Sequence, residues 1–270
     1  MPNPSYLDEL VKALKVRPGD ISFIDNAYQD DRFMLDSIHT NFIGWYQETE
    51  INPQVNFIVD KCGLKIPAEV LDLACGHGRH TVQMADMGFS VVGADISPVL
   101  VEHLNTKYKK DNLKFELCSF EQYNYQNRFD LVQVLGNSLS LVPRADFLDI
   151  LFRIRLSLKP GGKFFSQLDH RGYYILQEAG TRPWNFYGNR WLLFSEHDYD
   201  ESQCLEKTID TSLDLLTGDV DQFRLTKSLY TPEEIQDYLQ RVGFQSVQMM
   251  GNWDGSPAKS ESPMILTIAE

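Results

Sequence analysis

The stretch that most constrains this 270-residue chain is Val70-Leu71-Asp72-Leu73-Ala74-Cys75-Gly76-His77-Gly78-Arg79-His80. A short apolar run enters a glycine turn that opens a helix, and small residues at such a turn let a ligand approach the main chain. A dinucleotide fingerprint, G-x-G-x-x-G, needs a third glycine for tight helix–strand packing. Here Gly76-x-Gly78 is followed by Arg79, His80 and Thr81, so the third glycine is missing. An acidic strand residue and small residues at alternate positions, Asp72-x-Ala74-x-Gly76-x-Gly78, stand in its place. The turn therefore binds something other than the usual dinucleotide.

On either side of it the chain alternates as βαβ units do. Strands are expected at 70–73, 90–95, 112–118, 129–135 and 163–168, with helices at 78–87, 97–109 and 145–158 between them. Such alternation implies a parallel sheet covered on both faces, an α/β doubly wound, Rossmann-like fold. Ser97-Pro98 reads as an N-cap followed by proline at the first helical position. Thr231-Pro232-Glu233-Glu234 reads as a capping box opening another helix, and two strands, 244–250 and 264–269, close the chain. Before the sheet, helical patterns fall at 5–16, 33–46 and 53–62, with Phe33, Phe42, Trp45 and Tyr46 as packing or pocket-roofing aromatics. Residues 171–190 read as loop or short helix. The runs 191–199, 204–215 and 219–229 read as an antiparallel β insertion after the fifth strand. Segment 251–263 is polar and turn-rich, and is expected to be mobile. Three parts follow: an N-terminal helical cap over 1–64, a ligand-binding domain over 65–170 plus 228–270, and an insertion over 171–227 serving as substrate lid or interface.

Composition narrows the class. The net charge is −13, without a block of Lys or Arg, whereas a nucleic-acid binder needs a basic stripe to neutralise phosphates. Nucleic acid and acidic membrane surfaces are therefore not expected as partners. Four scattered cysteines, Cys62, Cys75, Cys118 and Cys204, lack metal-type spacing. No long apolar run or basic leader occurs. The expectation is a cytoplasmic protein, monomer or homodimer, without a metal.

Asp95 ends the second strand about 20 residues past the glycine turn, where doubly wound nucleotide sites place a carboxylate for ribose hydroxyls. Two acceptor oxygens suit two vicinal hydroxyls, and Ile96 beside it offers an apolar face to a base. Asp72, inside an otherwise apolar strand, is costly unless paired, and its expected task is to bond the backbone of the glycine turn, or to bind the ligand's amino group through that turn. These features move the expected ligand from a dinucleotide to S-adenosylmethionine.

With Val91-Val92-Gly93-Ala94-Asp95-Ile96-Ser97, Arg128-Phe129-Asp130-Leu131-Val132, Leu158-Lys159-Pro160-Gly161-Gly162, and Tyr230-Thr231-Pro232-Glu233-Glu234-Ile235 followed by Val242-Gly243-Phe244, the chain resembles the class I S-adenosylmethionine-dependent methyltransferases. The resemblance covers roughly 65–170 and 228–270, and is closest to members acting on small molecules. It implies a seven-stranded sheet with the last strand antiparallel. It implies that the methionine part of the cofactor lies over Ala74, Cys75, Gly76 and Gly78, the ribose on Asp95 and the adenine beside Ile96. Leu135 and Gly136 would line the sulfonium end. Many relatives carry an Asp after the third strand for the adenine amino group; here Cys118-Ser119-Phe120-Glu121 stands there, with Ser119 or the Phe120 backbone as substitutes.

In-line methyl transfer asks the protein to align the acceptor and exclude water. Candidates above the fourth and fifth strands are Asn137, Ser138, Asp169, His170 as a general base, and Arg171 for a carboxylate or phosphate. Tyr173, Arg182, Trp184, Tyr187, Arg190 and Trp191 follow them. The expected activity is methyl transfer to an N or O atom of a small molecule. An NAD-type oxidoreductase and a non-catalytic S-adenosylmethionine-binding regulator are the alternatives.

Overall fold

A computed structural model describes residues 22–25, 48–187 and 191–270, with side chains from residue 51 onward except at Tyr187. The helices expected over 5–16 and 33–46, their four aromatics, and Arg190 lie outside the described residues. In chain order the elements are β1 (Ser22–Asp25), α1 (Glu48–Cys62), β2 (Glu69–Leu73), α2 (Arg79–Asp86), β3 (Ser90–Asp95), α3 (Pro98–Lys107), β4 (Leu113–Leu117) and β5 (Phe129–Val134). A 3-10 turn (Ser138–Leu141), α4 (Phe147–Ser157), β6 (Leu158–Asp169), α5 (Arg171–Gln177), β7 (Trp184–Tyr187), β8 (Trp191–Asp200), β9 (Leu205–Asp214) and β10 (Val220–Ser228) follow. The chain ends with α6 (Pro232–Arg241), β11 (Val247–Met250) and β12 (Met264–Ala269).

Seven strands form one sheet in the order β11-β12-β6-β5-β2-β3-β4. β6, β5, β2, β3 and β4 run parallel, and β12 is antiparallel to both β6 and β11. The last strand is thus the reversed one, as expected. The other sheet has the order β1-β10-β9-β8-β7. β8 and β9 pair antiparallel, as expected of the insertion, and β7, in a stretch expected to be loop or short helix, adds an antiparallel strand to β8, while β1 joins β10 in parallel. The N-terminal segment, expected as a helical cap, therefore supplies a strand in the stretch between the helices expected at 5–16 and 33–46. Four residues are too few to display an alternating pattern, and their partner lies far along the chain.

The chain divides into two compact units: Trp45–Tyr174 with Ser228–Glu270, and Met1–Gly44 with Ile175–Lys227. In the first unit, alternation along β2 sends Leu71 and Leu73 to one face and Val70 to the other. Leu71 and Leu73 meet Ile150, Leu151 and Ile154 of α4 and Ile235 and Leu239 of α6. Val70, Leu131 and Phe165 meet Val55 and Ile58 of α1 and Met84 of α2 on the opposite face. Helix α1, grouped by sequence with the N-terminal cap, belongs to this core. It begins at Glu48, with Pro53 inside it.

Local signals act as their chemistry dictates. Ser97 Oγ accepts from the Leu100 N–H at the start of α3, and Thr231 with Glu234 forms a complete capping box on α6. β6 begins at Leu158, five residues earlier than expected, because Phe129 pairs with Leu158 before the register jumps to Leu131–Lys163. Gly162 is obligatory in that irregularity: a Cβ there would stand 2.8 Å from the Phe129 carbonyl oxygen. Segment 251–263, expected to be mobile, is tied down. Trp253 stacks on Phe165 with ring centroids 5.9 Å apart and meets Phe57 edge-on at 5.6 Å. Its polar composition hid that one anchor. No helix among the described residues is long and apolar enough to cross a membrane.

Candidate active site

The turn after β2 has three left-handed residues at alternate positions: Ala74 (φ 59°), Gly76 (φ 54°) and Gly78 (φ 70°). The two glycines serve different ends. A Cβ on Gly78 would lie 2.9 Å from Phe115 and 3.2 Å from Leu104, so Gly78 permits close packing against β4 and α3. A Cβ on Gly76 meets nothing within 4 Å, so Gly76 borders open space. Donors in this turn are largely satisfied internally. Cys75 N–H donates to Ala94 O at 3.0 Å, Gly76 N–H to Asp95 Oδ2 at 2.8 Å, and Gly78 N–H to Cys75 O at 2.9 Å. The turn thus offers a ligand space and carbonyl oxygens more than N–H groups.

Asp95, at the end of β3, is buried and accepts one backbone N–H on each oxygen: Gly76 on Oδ2, and Ser97 on Oδ1 at 3.0 Å. Burial raises its pKa, and the N–H donors from Ser97 and Gly76 pull it back. Each oxygen keeps a second lone pair. Asp72 is fully buried beneath the turn and accepts from Thr81 Oγ1 at 2.5 Å, which joins β2 to α2. Burial is the main cause of its pKa rising to about 6, opposed by Thr81 and by the amide of Gln133, its register neighbour on β5. Burial pushes the Cys75 thiol up as well, so it stays protonated. Ile96 is 44 % exposed, and Leu117, at the end of β4, is 59 % exposed. Sequence reasoning missed Leu117; its signal was an apolar residue closing a strand next to Cys118. Ser119 and Phe120 follow, half-buried, with Ser119 Oγ accepting from the Gln122 N–H.

At the ends of β5 and β6, Gly136 (φ 60°) and Asn137 (φ 62°) are consecutive left-handed residues after the buried Leu135. A Cβ on Gly136 also meets nothing within 4 Å. The neighbouring ends of β2 and β5 therefore carry two turns that face open space. Gln167 Oε1 accepts the Gly136 N–H at 3.3 Å, and Ser138 Oγ donates to Leu135 O. Asn137 Oδ1 is buried and has no hydrogen-bond partner.

His170 and Arg171 each have a partner within the fold. His170 is buried, and its Nδ1 accepts the Tyr173 N–H at 3.2 Å, capping α5. Its pKa is lowered, chiefly by burial. With Nδ1 an acceptor, the neutral ring carries its proton on Nε2, so it cannot take another there as a general base. The Arg171 guanidinium pairs with Glu234, 3.0 and 3.1 Å from Nη1 to the two carboxylate oxygens. Arg182 pairs with Glu196 and Asp198 within the five-stranded sheet, where Trp184 also lies. His80 Nε2 meets Gln54 Oε1 at 2.8 Å, and burial lowers both His77 and His80 to about 4. No group of three or more His, Cys, Asp or Glu side chains poised for a metal occurs among the described residues.

A methyltransferase-domain family profile matches residues 70–162. The chain is 35 % identical over 126 residues to a ubiquinone biosynthesis O-methyltransferase of Pseudoalteromonas translucida, covering 44 % of this chain and 52 % of that protein. It is 23 % identical over 241 residues to a glycine/sarcosine N-methyltransferase of Halorhodospira halochloris, covering 85 % and 84 %. The matched region spans about half the length, or less, of the curated relatives with the stronger matches. Among solved structures, the CcbJ methyltransferase of Streptomyces caelestis shares the fold, with a TM-score of 0.76 at 18 % identity, covering 88 % of this chain and 97 % of that one.

Proposed function

We propose that this chain, which carries a domain of the class I S-adenosylmethionine-dependent methyltransferase family, moves a methyl group to an N or O atom of a small-molecule acceptor. The observation that carries the reading is the pair of open turns at Gly76 and Gly136, with Asp95 fixed beside the first.

In this reading Asp95 directs its remaining lone pairs to the ribose hydroxyls. Ile96 and Leu117 flank the adenine, with Ser119 and Phe120 at its amino edge. Ala74, Cys75, Gly76 and Gly78 run beneath the methionine part, whose ammonium suits a turn rich in carbonyls. Leu135 and Gly136 border the sulfonium end. Asp72 touches no ligand; through Thr81 it fixes α2 against the turn. S-adenosylmethionine supplies a methyl group on an already activated sulfur. The chain's own task is to align the acceptor and keep water out. The Asn137 amide oxygen accepts a proton-bearing group of the acceptor. Arg171 has only Nη1 engaged among the described residues, which leaves Nε and Nη2 to hold an anionic group on the acceptor. His170 acts as a helix cap. An amine nitrogen is the favoured acceptor atom, because it needs no base when it arrives neutral.

Two measurements test the proposal. Thermal shift should rise with S-adenosylmethionine and S-adenosylhomocysteine and stay flat with NAD(H); no response to either sulfur ligand sinks it, and a response to NAD(H) alone restores the oxidoreductase. Transfer of labelled methyl to a panel of amines (glycine and sarcosine among them), phenols, thiols and carboxylic acids should label at least one. Binding with no transfer to any would leave a cofactor-binding regulator.

A further inference from the structure

Glu234 gathers more polar contacts than a helix cap needs. Its Oε2 accepts the Thr231 N–H at 2.8 Å, closing the capping box on α6. Both its oxygens meet Arg171 Nη1, at 3.1 and 3.0 Å, across 63 residues of sequence. Oε1 also accepts from Arg144 Nη1 at 3.3 Å. Arg144 is itself held, with Nη2 donating to Leu229 O and its guanidinium 4.4 Å above the Tyr230 ring. The backbones of the two segments are joined at the same place. His170 and Tyr230 form a parallel bridge, and Arg171 N–H donates to Tyr230 O at 3.0 Å. Arg171 therefore leaves the end of β6 with its main chain fixed to residue 230 and its side chain fixed to residue 234.

We propose that Glu234 is a positioning residue for the acceptor site, holding the Arg171 guanidinium in the one orientation that presents its Nε and Nη2 edge to an anionic group of the acceptor. The proposal rests on the methyltransferase reading above for its functional consequence, but not for its geometry. An arginine side chain has four rotatable bonds, and immobilising it before the acceptor arrives removes part of the entropy cost of binding. A planar guanidinium engaged on one nitrogen keeps its other donors in a fixed plane, which a lysine cannot do.

The capping box supplies a control. A glutamine at this position still accepts the Thr231 N–H, because capping boxes take Glu or Gln alike. Glu234→Gln thus removes the charge-assisted hold on Arg171 and keeps the helix start, whereas Glu234→Ala removes both. Arginine side-chain nitrogen NMR on the full chain reads the orientation without any acceptor. Rotation of the Arg171 guanidinium, assigned by its loss in Arg171→Lys, should be hindered in the wild type and free in Glu234→Gln. The melting temperature of that variant should stay within about two degrees. With glycine and sarcosine as probe acceptors, its acceptor KM should rise roughly tenfold, kcat should fall much less, and Glu234→Asp should recover part of the loss. Equal Arg171 rotation in wild type and Glu234→Gln overturns the proposal, as does an unmoved acceptor KM in a variant whose Arg171 has been freed. Calorimetry with S-adenosylhomocysteine runs alongside: absence of binding by the wild type would overturn the methyltransferase reading and leave the orientation result standing.

Discussion

At the ends of β2 and β3 the polar groups are held by the glycine turn, its adjoining helix and the start of the next. Asp95 takes its two N–H donors from Gly76 and Ser97, and Asp72 bonds the first turn of the adjoining helix. At the ends of β5 and β6 they are held by side chains from elsewhere: Gly136 by Gln167, 31 residues on, and Arg171 by Glu234, 63 residues on. The first half is a local construction, built from a turn and its neighbours. The second depends on the sheet and α6 being assembled. A cofactor common to a large family suits the first kind of site, and an acceptor that differs between relatives suits the second.

The sharpest way to break that comparison is to substitute the two glycines of the turn. Gly78→Ala places a methyl 2.9 Å from the buried Phe115 ring and keeps a left-handed φ, so it should lower stability by about 3 kcal/mol in urea unfolding. Gly76→Ala has the left-handed penalty alone, about 1 kcal/mol, because its methyl enters open space. That space is where the cofactor is proposed to lie, so Gly76→Ala should forfeit most S-adenosylmethionine affinity. Equal stability losses in the two variants would mean that Gly76 is packed rather than open. Unaltered affinity in Gly76→Ala would move the cofactor elsewhere.

Asp95→Ala comes next. It removes the proposed ribose contact and leaves two backbone donors without their acceptor, so cofactor binding should weaken by about 2 kcal/mol in calorimetry. Unchanged affinity would refute the assignment and reduce Asp95 to a brace for the turn.

What could be read from sequence follows the same division. The succession of strands, the Ser97 cap, the Thr231 capping box and the glycine turn are local signals, each specified within a few residues, and the structure repeats them nearly residue by residue. Asp95 stood out because a carboxylate closes a buried strand at that spacing from a glycine turn, and its two backbone donors lie close by. Leu117 escaped because a lone exposed leucine carries no pattern, and β1 because four residues carry no period. The partners of His170 and Arg171 were not legible, for a physical reason. Residue type indicates what chemistry a side chain can perform, but its actual partner, the Tyr173 N–H or Glu234, exists only after distant segments have met. Trp253 is the same case in reverse: a polar loop is made rigid by one ring that reaches Phe165.

The smallest expected effect concerns α2, which carries the turn. His80 lies on that helix with Nε2 bonded to Gln54 of α1, and burial lowers its pKa to about 4 from an ordinary value near 6.5. Between those values the unfolded chain binds a proton that the folded chain refuses, so this contribution is present above pH 6.5 and drains away as pH falls towards 4. Asp72 works in the opposite direction. Its folded pKa of about 6 means the folded chain takes up a proton first on acidification, which stabilises the fold below that value and offsets part of the histidine loss. His80→Gln has no such titration, and its amide can still reach Gln54. The difference in unfolding free energy between pH 7 and pH 4.5 should therefore shrink by on the order of 1 kcal/mol in the variant. If acidification costs wild type and variant the same, His80 is as accessible to solvent folded as unfolded. The locally built half of the site would then be looser at α2 than its hydrogen bonds imply.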